Sequence, residues 1–310
     1  MKTISNLNED IRRYINLPRK QHYLLKSKIS WHKLCVSLDA IDVTELAIGA
    51  YIKRKKNSAT IAEKYLSLYG VLQALFVQQD AIKNLCSALA VPYRSDAILD
   101  EIRNVRHRSV GHPTSRYEKE FITIGGHNAG SPDFSMAIYS ATNNTQVVDI
   151  KMRSVIDNQW AIVRQALKNV LKSLREEEMT HRAEFRKEKL ENCFPQTLSY
   201  AFEKILTTIL GHERPQFGLA HLDYVIRAVG DFKAGLKRRD ALSSWTHAEE
   251  TFDEVEYPMT QLKNYLATPT SSSMNDKDAH IFWFFLKDRI ERLQKIASEF
   301  DEEYASNKVR

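Results

Sequence analysis

From Arg103 to Pro113 the chain reads Arg-Asn-Val-Arg-His-Arg-Ser-Val-Gly-His-Pro, with three arginines and two histidines in one short run. Arginine is a permanent planar cation that grips phosphate oxygens in pairs, and histidine gains or loses a proton near neutral pH. Together they suit phosphodiester chemistry without a metal. Arg106 and His112, with His107 beside the arginine, are the candidate catalytic residues. Arg103 and Arg108 can track flanking phosphates, or lie on a solvated helix face.

The elements that must position these groups are helical. Leu34, Cys35, Leu38, Ile41, Leu46 and Ile48 recur at mostly helical spacing behind Trp31, which predicts one helix over 31–52. It ends in a basic turn, Lys53-Arg54-Lys55-Lys56, whose cations are further candidates for nucleic-acid contact. Thr60-Ile61-Ala62-Glu63 has the pattern of a capping box and opens the strongest helix of the chain. Its apolar stripe runs through Tyr65, Leu68, Tyr69, Leu72, Leu75, Phe76, Gln79, Ile82 and Cys86.

Pro92 breaks that helix, and Asp96 can cap a short one whose face is Ile98, Leu99, Ile102 and Val105. Arg106 lies one turn beyond Ile102, at the edge of that face. Gly111 and Pro113 stop the helix and leave His112 in an extended turn. Gln78-Gln79-Asp80 interrupts the central helix with polar groups, and two readings are open. Either the patch faces the motif helix, with Asp80 orienting Arg106 and Gln79 and Asn104 in support, or Gln78 and Asp80 point to water.

Between 121 and 152 the period changes to two. Phe121–Ile124, Phe134–Tyr139 and Val147–Ile150 read as short antiparallel strands. Helical spacing returns at Ile156, Trp160, Val163, Leu167, Val170, Leu171 and Leu174, a seam able to pack against the central helix. Arg175 to Leu190 is almost wholly charged and reads as a solvated extension or connector. Further helices are expected near 196–210, 219–236, 241–267 and 278–304, with an exposed loop at 268–275.

Arg106, the polar His107 and a histidine after five intervening residues resemble the signature of the HEPN family: arginine, a polar residue, and a histidine four to six positions on. Arg103-Asn104 looks like the family's commoner arginine-asparagine pair, but neither His107 nor His112 stands at the matching spacing from it. The resemblance covers residues 25–175. It implies a helical bundle and a metal-independent ribonuclease acting as a homodimer, with RNA as substrate and no cofactor. On that resemblance His112 moves the proton and Arg106 holds the scissile phosphate, and the ends formed are a 2′,3′-cyclic phosphate and a 5′-hydroxyl. It also suggests a toxin or antiviral defence role, with an antitoxin or regulatory protein as a further partner. The strand segment at 121–152 is an insert relative to the family bundle.

Composition fits this frame. The 310 residues are 43% hydrophobic with only 10 glycines and 8 prolines, so a folded and mainly helical protein is expected. The fold class is mainly α: a HEPN-like bundle over 1–190 with a small antiparallel β insert, followed by a C-terminal helical domain over 191–310. Residues 1–120 hold 20 Lys and Arg against 12 Asp and Glu, a net of +8, whereas 251–310 hold 8 against 11, a net of −3. A nucleic-acid surface therefore belongs on the first half.

Cys35, Cys86 and Cys193 read as reduced thiols, and the lack of a leader-like or membrane-spanning run suggests a cytoplasmic protein. The sequence has no phosphate-binding loop, no His-Glu-x-x-His, no Cys-x-x-Cys and no Gly-x-Ser-x-Gly, so no metal is expected. The rival to the nuclease is a non-catalytic helical adaptor or nucleic-acid-binding module.

Overall fold

Four helices open on side-chain caps, of which the sequence marks two, at Thr60 and Asp96. Ser27 accepts from Ser30 N, Thr60 forms a full capping box with Glu63, Asp96 accepts from Ile98 N, and Asn275 forms a second box with Asp278. Each satisfies amides that a helix start leaves without partners. The structure is a computed structural model and describes residues 2–54, 60–111, 120–125, 133–140, 145–268 and 274–306.

In chain order the elements are α1 (Ile4–Ile15), α2 (Pro18–Leu25), α3 (Lys28–Lys53), α4 (Ile61–Ala88), α5 (Ala97–Arg106) and a π-helical turn over His107–Gly111. The strands β1 (Glu120–Ile124), β2 (Asp133–Ser140) and β3 (Thr145–Lys151) follow, then α6 (Met152–Phe185), α7 (Leu198–Ile209), α8 (Pro215–Arg238), α9 (Thr246–Ala267) and α10 (Asp276–Ala305). The protein is mainly α-helical with one small antiparallel sheet, as its spacing predicts.

The chain divides into two compact units. One comprises Met1–Ile15 with Leu24–Glu176, the other Asn16–Tyr23 with Glu177–Arg310. The divide thus falls inside α6, earlier than the 190/191 boundary drawn from sequence.

In the first unit α3 and α4 pack along each other. Leu34, Leu38 and Ile41 of α3 meet Ile82, Leu85 and Cys86 of α4, Val163, Leu167 and Val170 of α6, and the α1 residues Ile4, Leu7 and Ile11. A second cluster joins Leu68, Leu72 and Leu75 of α4 to Leu99, Ile102 and Val105 of α5 and to the inner face of the sheet, Ile122, Phe134, Met136 and Ile138. The sheet has the order β1-β2-β3, with Phe121 opposite Tyr139 and Ala137 opposite Val147.

The second unit is helical, with a core of Phe202, Ile205, Val225, Phe232, Phe252, Leu286, Leu293 and Phe300 among others. Two sequence expectations need correction. Leu46 and Tyr69, assigned to apolar stripes, are exposed because α3 and α4 bury other faces against each other. The charged run after Arg175 crosses the divide between the two units, as a connector should, but it is not solvated throughout: Glu178 and Arg182 are buried, and Arg182 Nε donates to Glu178 at 2.7 Å while Arg19 Nη2 donates to it at 2.9 Å. Burial raises the Glu178 pKa, but those two guanidiniums overrule it and leave a net lowering.

Candidate functional site

The motif arginines lie one turn apart on α5, so both reach the same face of α4. There Gln73, Phe76 and Asp80 recur at helical spacing and meet them in antiparallel register. Arg106 donates to Gln73 Oε1 from Nε at 3.2 Å and from Nη2 at 2.9 Å. Arg103 Nη1 donates to Asp80 Oδ1 at 2.9 Å and more distantly to Gln79 Oε1 at 3.5 Å. Asp80 therefore steadies Arg103, not Arg106 as one sequence reading had it.

Between these contacts lies Phe76. The Arg103 and Arg106 guanidinium carbons stand 4.1 and 4.7 Å from its ring centroid, and the His107 ring meets it edge-on at 5.7 Å. The negative face of the ring attracts each cation and helps hold two like charges close together. Arg106 Nη1 is 3.4 Å from His107 Nδ1. A guanidinium pair and an imidazole on one half-exposed surface form an anion-attracting patch with a titratable group at its edge.

His107 opens a single π-helical turn that continues α5 beyond the two arginines, a geometry that occurs disproportionately at functional sites. Ser109 Oγ donates back to Val105 O at 2.7 Å and holds the turn from inside. Gly111 belongs to the turn itself. A Cβ there would meet Arg106 Nη1 at 3.1 Å and His107 Nδ1 at 3.5 Å, so its lack of a side chain leaves room for both groups.

Behind the patch runs a buried amide network that sequence reasoning missed. Gln78 is 0% exposed, which overturns the reading that sends it to water. Gln159 on α6 accepts from Gln79 Nε2 at 2.8 Å and donates to Gln78 Oε1 at 2.9 Å and Leu75 O at 3.0 Å. Gln78 reaches on to Glu45, which also accepts from Trp160 Nε1 at 3.0 Å. Burial raises the Glu45 pKa against the pull of those two hydrogen bonds. The network connects α3, α4 and α6 to the arginine patch through Gln79.

The other candidates divide. Asn104 is exposed, and Arg108 is half-buried on the π-helical turn. Lys53 ends α3, and Arg54 folds back so that its guanidinium carbon stands 3.4 Å from the Tyr51 ring centroid while Nη1 donates to Tyr51 O at 2.5 Å. His112, Lys55 and Lys56 lie outside the described residues. Phe76 and Gln73 were missed as site residues. The one available signal was their spacing with Asp80 on α4, which matches the Arg103–Arg106 step on α5.

Among the described residues there is no group of three or more His, Cys, Asp or Glu able to hold a metal ion, and no helix long and apolar enough to cross a membrane. The three cysteines are free. Compared with protein-family models, curated proteins and solved structures, the chain matches none.

Proposed function

We propose that this chain is a metal-independent endoribonuclease of HEPN type, in which Arg106 holds the scissile phosphate and His112 moves a proton. The observation that carries the reading is the cluster at the end of α5: two guanidiniums over one phenyl ring, with an imidazole nitrogen 3.4 Å from the Arg106 guanidinium. With Asp80 at 2.9 Å offsetting the charge of Arg103, the Arg106 guanidinium is the group that would stabilise the charge gathering on phosphate oxygens as a fifth oxygen approaches, an effect worth several kcal/mol in comparable sites.

In the proposed step His112 takes the proton of a ribose 2′-hydroxyl, and that oxygen attacks the adjacent phosphorus. The bond to the 5′-oxygen breaks, and that oxygen leaves as a hydroxyl once protonated; His107 is the second proton carrier. The products are a 2′,3′-cyclic phosphate and a 5′-hydroxyl, and DNA, lacking the nucleophile, is spared. Action as a homodimer belongs to this proposal. Ile29, Val36 and Val43 stand seven residues apart on α3 and, with Leu46, form an exposed apolar stripe on which a second copy can pack. A cytoplasmic toxin or antiviral defence role under an antitoxin or regulatory protein belongs to it as well.

The adaptor reading draws on a different observation: Arg103 is already engaged by Asp80, as expected of a cation with a structural duty. One experiment separates the two. Purified chain is incubated in EDTA with end-labelled RNA, as wild type, Arg106→Ala and His112→Ala, and the new termini are identified. The nuclease reading expects cyclic phosphate ends from wild type and a loss of roughly 100-fold or more in each variant. Equal cutting by all three, or none by wild type, refutes it.

A further inference from the structure

Leu66 and Tyr69 are 73% and 41% exposed, although α4 packs into two apolar clusters on its other sides. Their face is not idle. Residues three and four apart share one side of a helix, so Leu66, Tyr69, Gln73, Phe76 and Asp80 form one strip along α4. Gln73, Phe76 and Asp80 seat the two motif arginines. The exposed pair continues that seat toward the start of the helix.

Tyr69 stands four residues before Gln73, about 6 Å along the helix axis. Long helical side chains lean toward the N-terminus, so the Gln73 amide, which accepts from Arg106 at 2.9 and 3.2 Å, leans over the turn that carries Tyr69. Gly70 shares that turn and leaves space beside it, since a Cβ built there would meet nothing within 4 Å. On the far side the Tyr65 ring stands 6.1 Å from the Tyr69 ring, and Tyr65 Oη donates to Ile124 O at 3.4 Å, which brings the end of β1 against the strip. A guanidinium, an open gap and an aromatic ring thus follow one another along one helix face.

Charge decides what suits the gap. The only carboxylates of α4 are Glu63, held in the capping box, and Asp80, held on Arg103, so no acid stands between them on the strip. Arg106 meets the Gln73 amide, the Phe76 ring and the His107 ring, and no carboxylate among the described residues. Its charge is left for an anion from outside, and whatever carries that anion reaches Tyr69 within one turn. A nucleotide offers both a phosphate for the guanidinium and a flat face for the ring. Aromatic side chains take bases of any identity, provided the base is not already stacked and paired in a duplex.

We propose that Tyr69, with Gly70 beside it, is a base-stacking subsite that takes one unpaired base of an RNA strand whose adjacent phosphate lies on Arg106. The subsite rests on the nuclease reading for the choice of RNA, and it deepens that reading by naming an unpaired nucleotide as what the site holds.

The test separates base from phosphate. A fluorescein-labelled oligouridylate with every 2′-hydroxyl methylated cannot be cleaved, and its affinity for the full chain is read by anisotropy beside that of an abasic strand with the same number of phosphates. Tyr69→Ala is expected to weaken Kd for the base-bearing strand roughly five- to hundredfold and to leave the abasic strand unchanged. Tyr69→Phe, which keeps the ring, recovers the affinity. Gly70→Leu fills the gap with a better helix former and weakens the base-bearing strand. Arg106→Ala weakens both strands, because it removes the phosphate contact. A loss confined to bases cannot come from general unfolding. Unchanged base-bearing affinity in Tyr69→Ala or Gly70→Leu overturns the subsite, as does an equal loss on both strands in Tyr69→Ala or failure of wild type to bind. A Tyr69→Ala chain that changes self-association in sedimentation while keeping strand affinity also overturns it, because the face then serves a second copy. Cyclic phosphate ends on unmethylated RNA are scored separately. Ring-dependent binding without cutting leaves the subsite standing and sinks the nuclease, and cutting that ignores Tyr69 does the reverse.

Discussion

Replacing Gln159 by leucine removes the hub of the buried amide network while keeping side-chain volume close to that of glutamine. Three hydrogen bonds are lost, at 2.8, 2.9 and 3.0 Å. They do not count equally. Leu75 O lies inside α4 and keeps its intrahelical partner, so its loss costs little. Gln79 Nε2 and Gln78 Oε1 are left without the partner that Gln159 supplied, in a site where all three glutamines are buried.

A buried polar group without its partner costs about 1–3 kcal/mol, so two of them cost about 2–6 kcal/mol. The added apolar burial of leucine offsets about 1 kcal/mol or more of this. The expected net loss is about 1–5 kcal/mol, measured as the shift in urea midpoint multiplied by the slope of the transition. Trp160, which hydrogen-bonds Glu45 at the other end of the network, provides a fluorescence signal. Gln165→Leu is the control, because Gln165 is exposed and bonds only locally to Asn169 at 2.9 Å. If both variants shift stability by less than about 0.5 kcal/mol, the network does not hold the bundle together. Gln79→Leu with Gln159→Leu should cost less than the sum of the two single changes, since the pair removes both ends of one bond.

Two glycines of α8 should respond in opposite directions. A Cβ on Gly218 would stand 2.7 Å from Thr208 Cβ and Oγ1, so Gly218→Ala forces α7 and α8 apart and costs about 1–3 kcal/mol. Gly230 has open space around it, and Gly230→Ala should stabilise by about 0.5–1 kcal/mol through helix propensity; a fall in Tm for both would contradict the close approach. His181, bonded to Tyr304 at 2.9 Å, has its pKa lowered chiefly by burial, with Arg19 adding to that effect. The folded state thus prefers the neutral ring, and stability present above the usual histidine value of 6.5 is lost as pH falls below it. Urea midpoints at pH 7.5 and 5.5 should therefore differ more for wild type than for His181→Gln, and equal differences would refute the assignment.

Much of the local architecture could be read from the chain alone. Thr60 with Glu63 and Asp96 before Ala97 mark helix starts, because a cap is a bond between residues two or three apart. The change of period from near four to two marked the sheet, because alternation of side chains is a property of a single strand. The arginine-histidine cluster was legible for the same reason: its members are chain neighbours.

What the sequence could not disclose is which faces meet. Phe76 reads as one more apolar residue of α4, yet α5 crosses it so that it becomes the seat of two guanidiniums. Asp80 could have served either arginine, and the antiparallel register of the two helices assigned it to Arg103. Gln78 looked as ready for water as for a partner until α6 brought Gln159 to it and to Gln79 across some eighty residues of chain. Composition and spacing settle where helices and strands form because those choices depend on short-range sterics and hydrogen bonds. The partners of buried polar and cationic groups depend on long-range packing, and they were decided only when the helices came together.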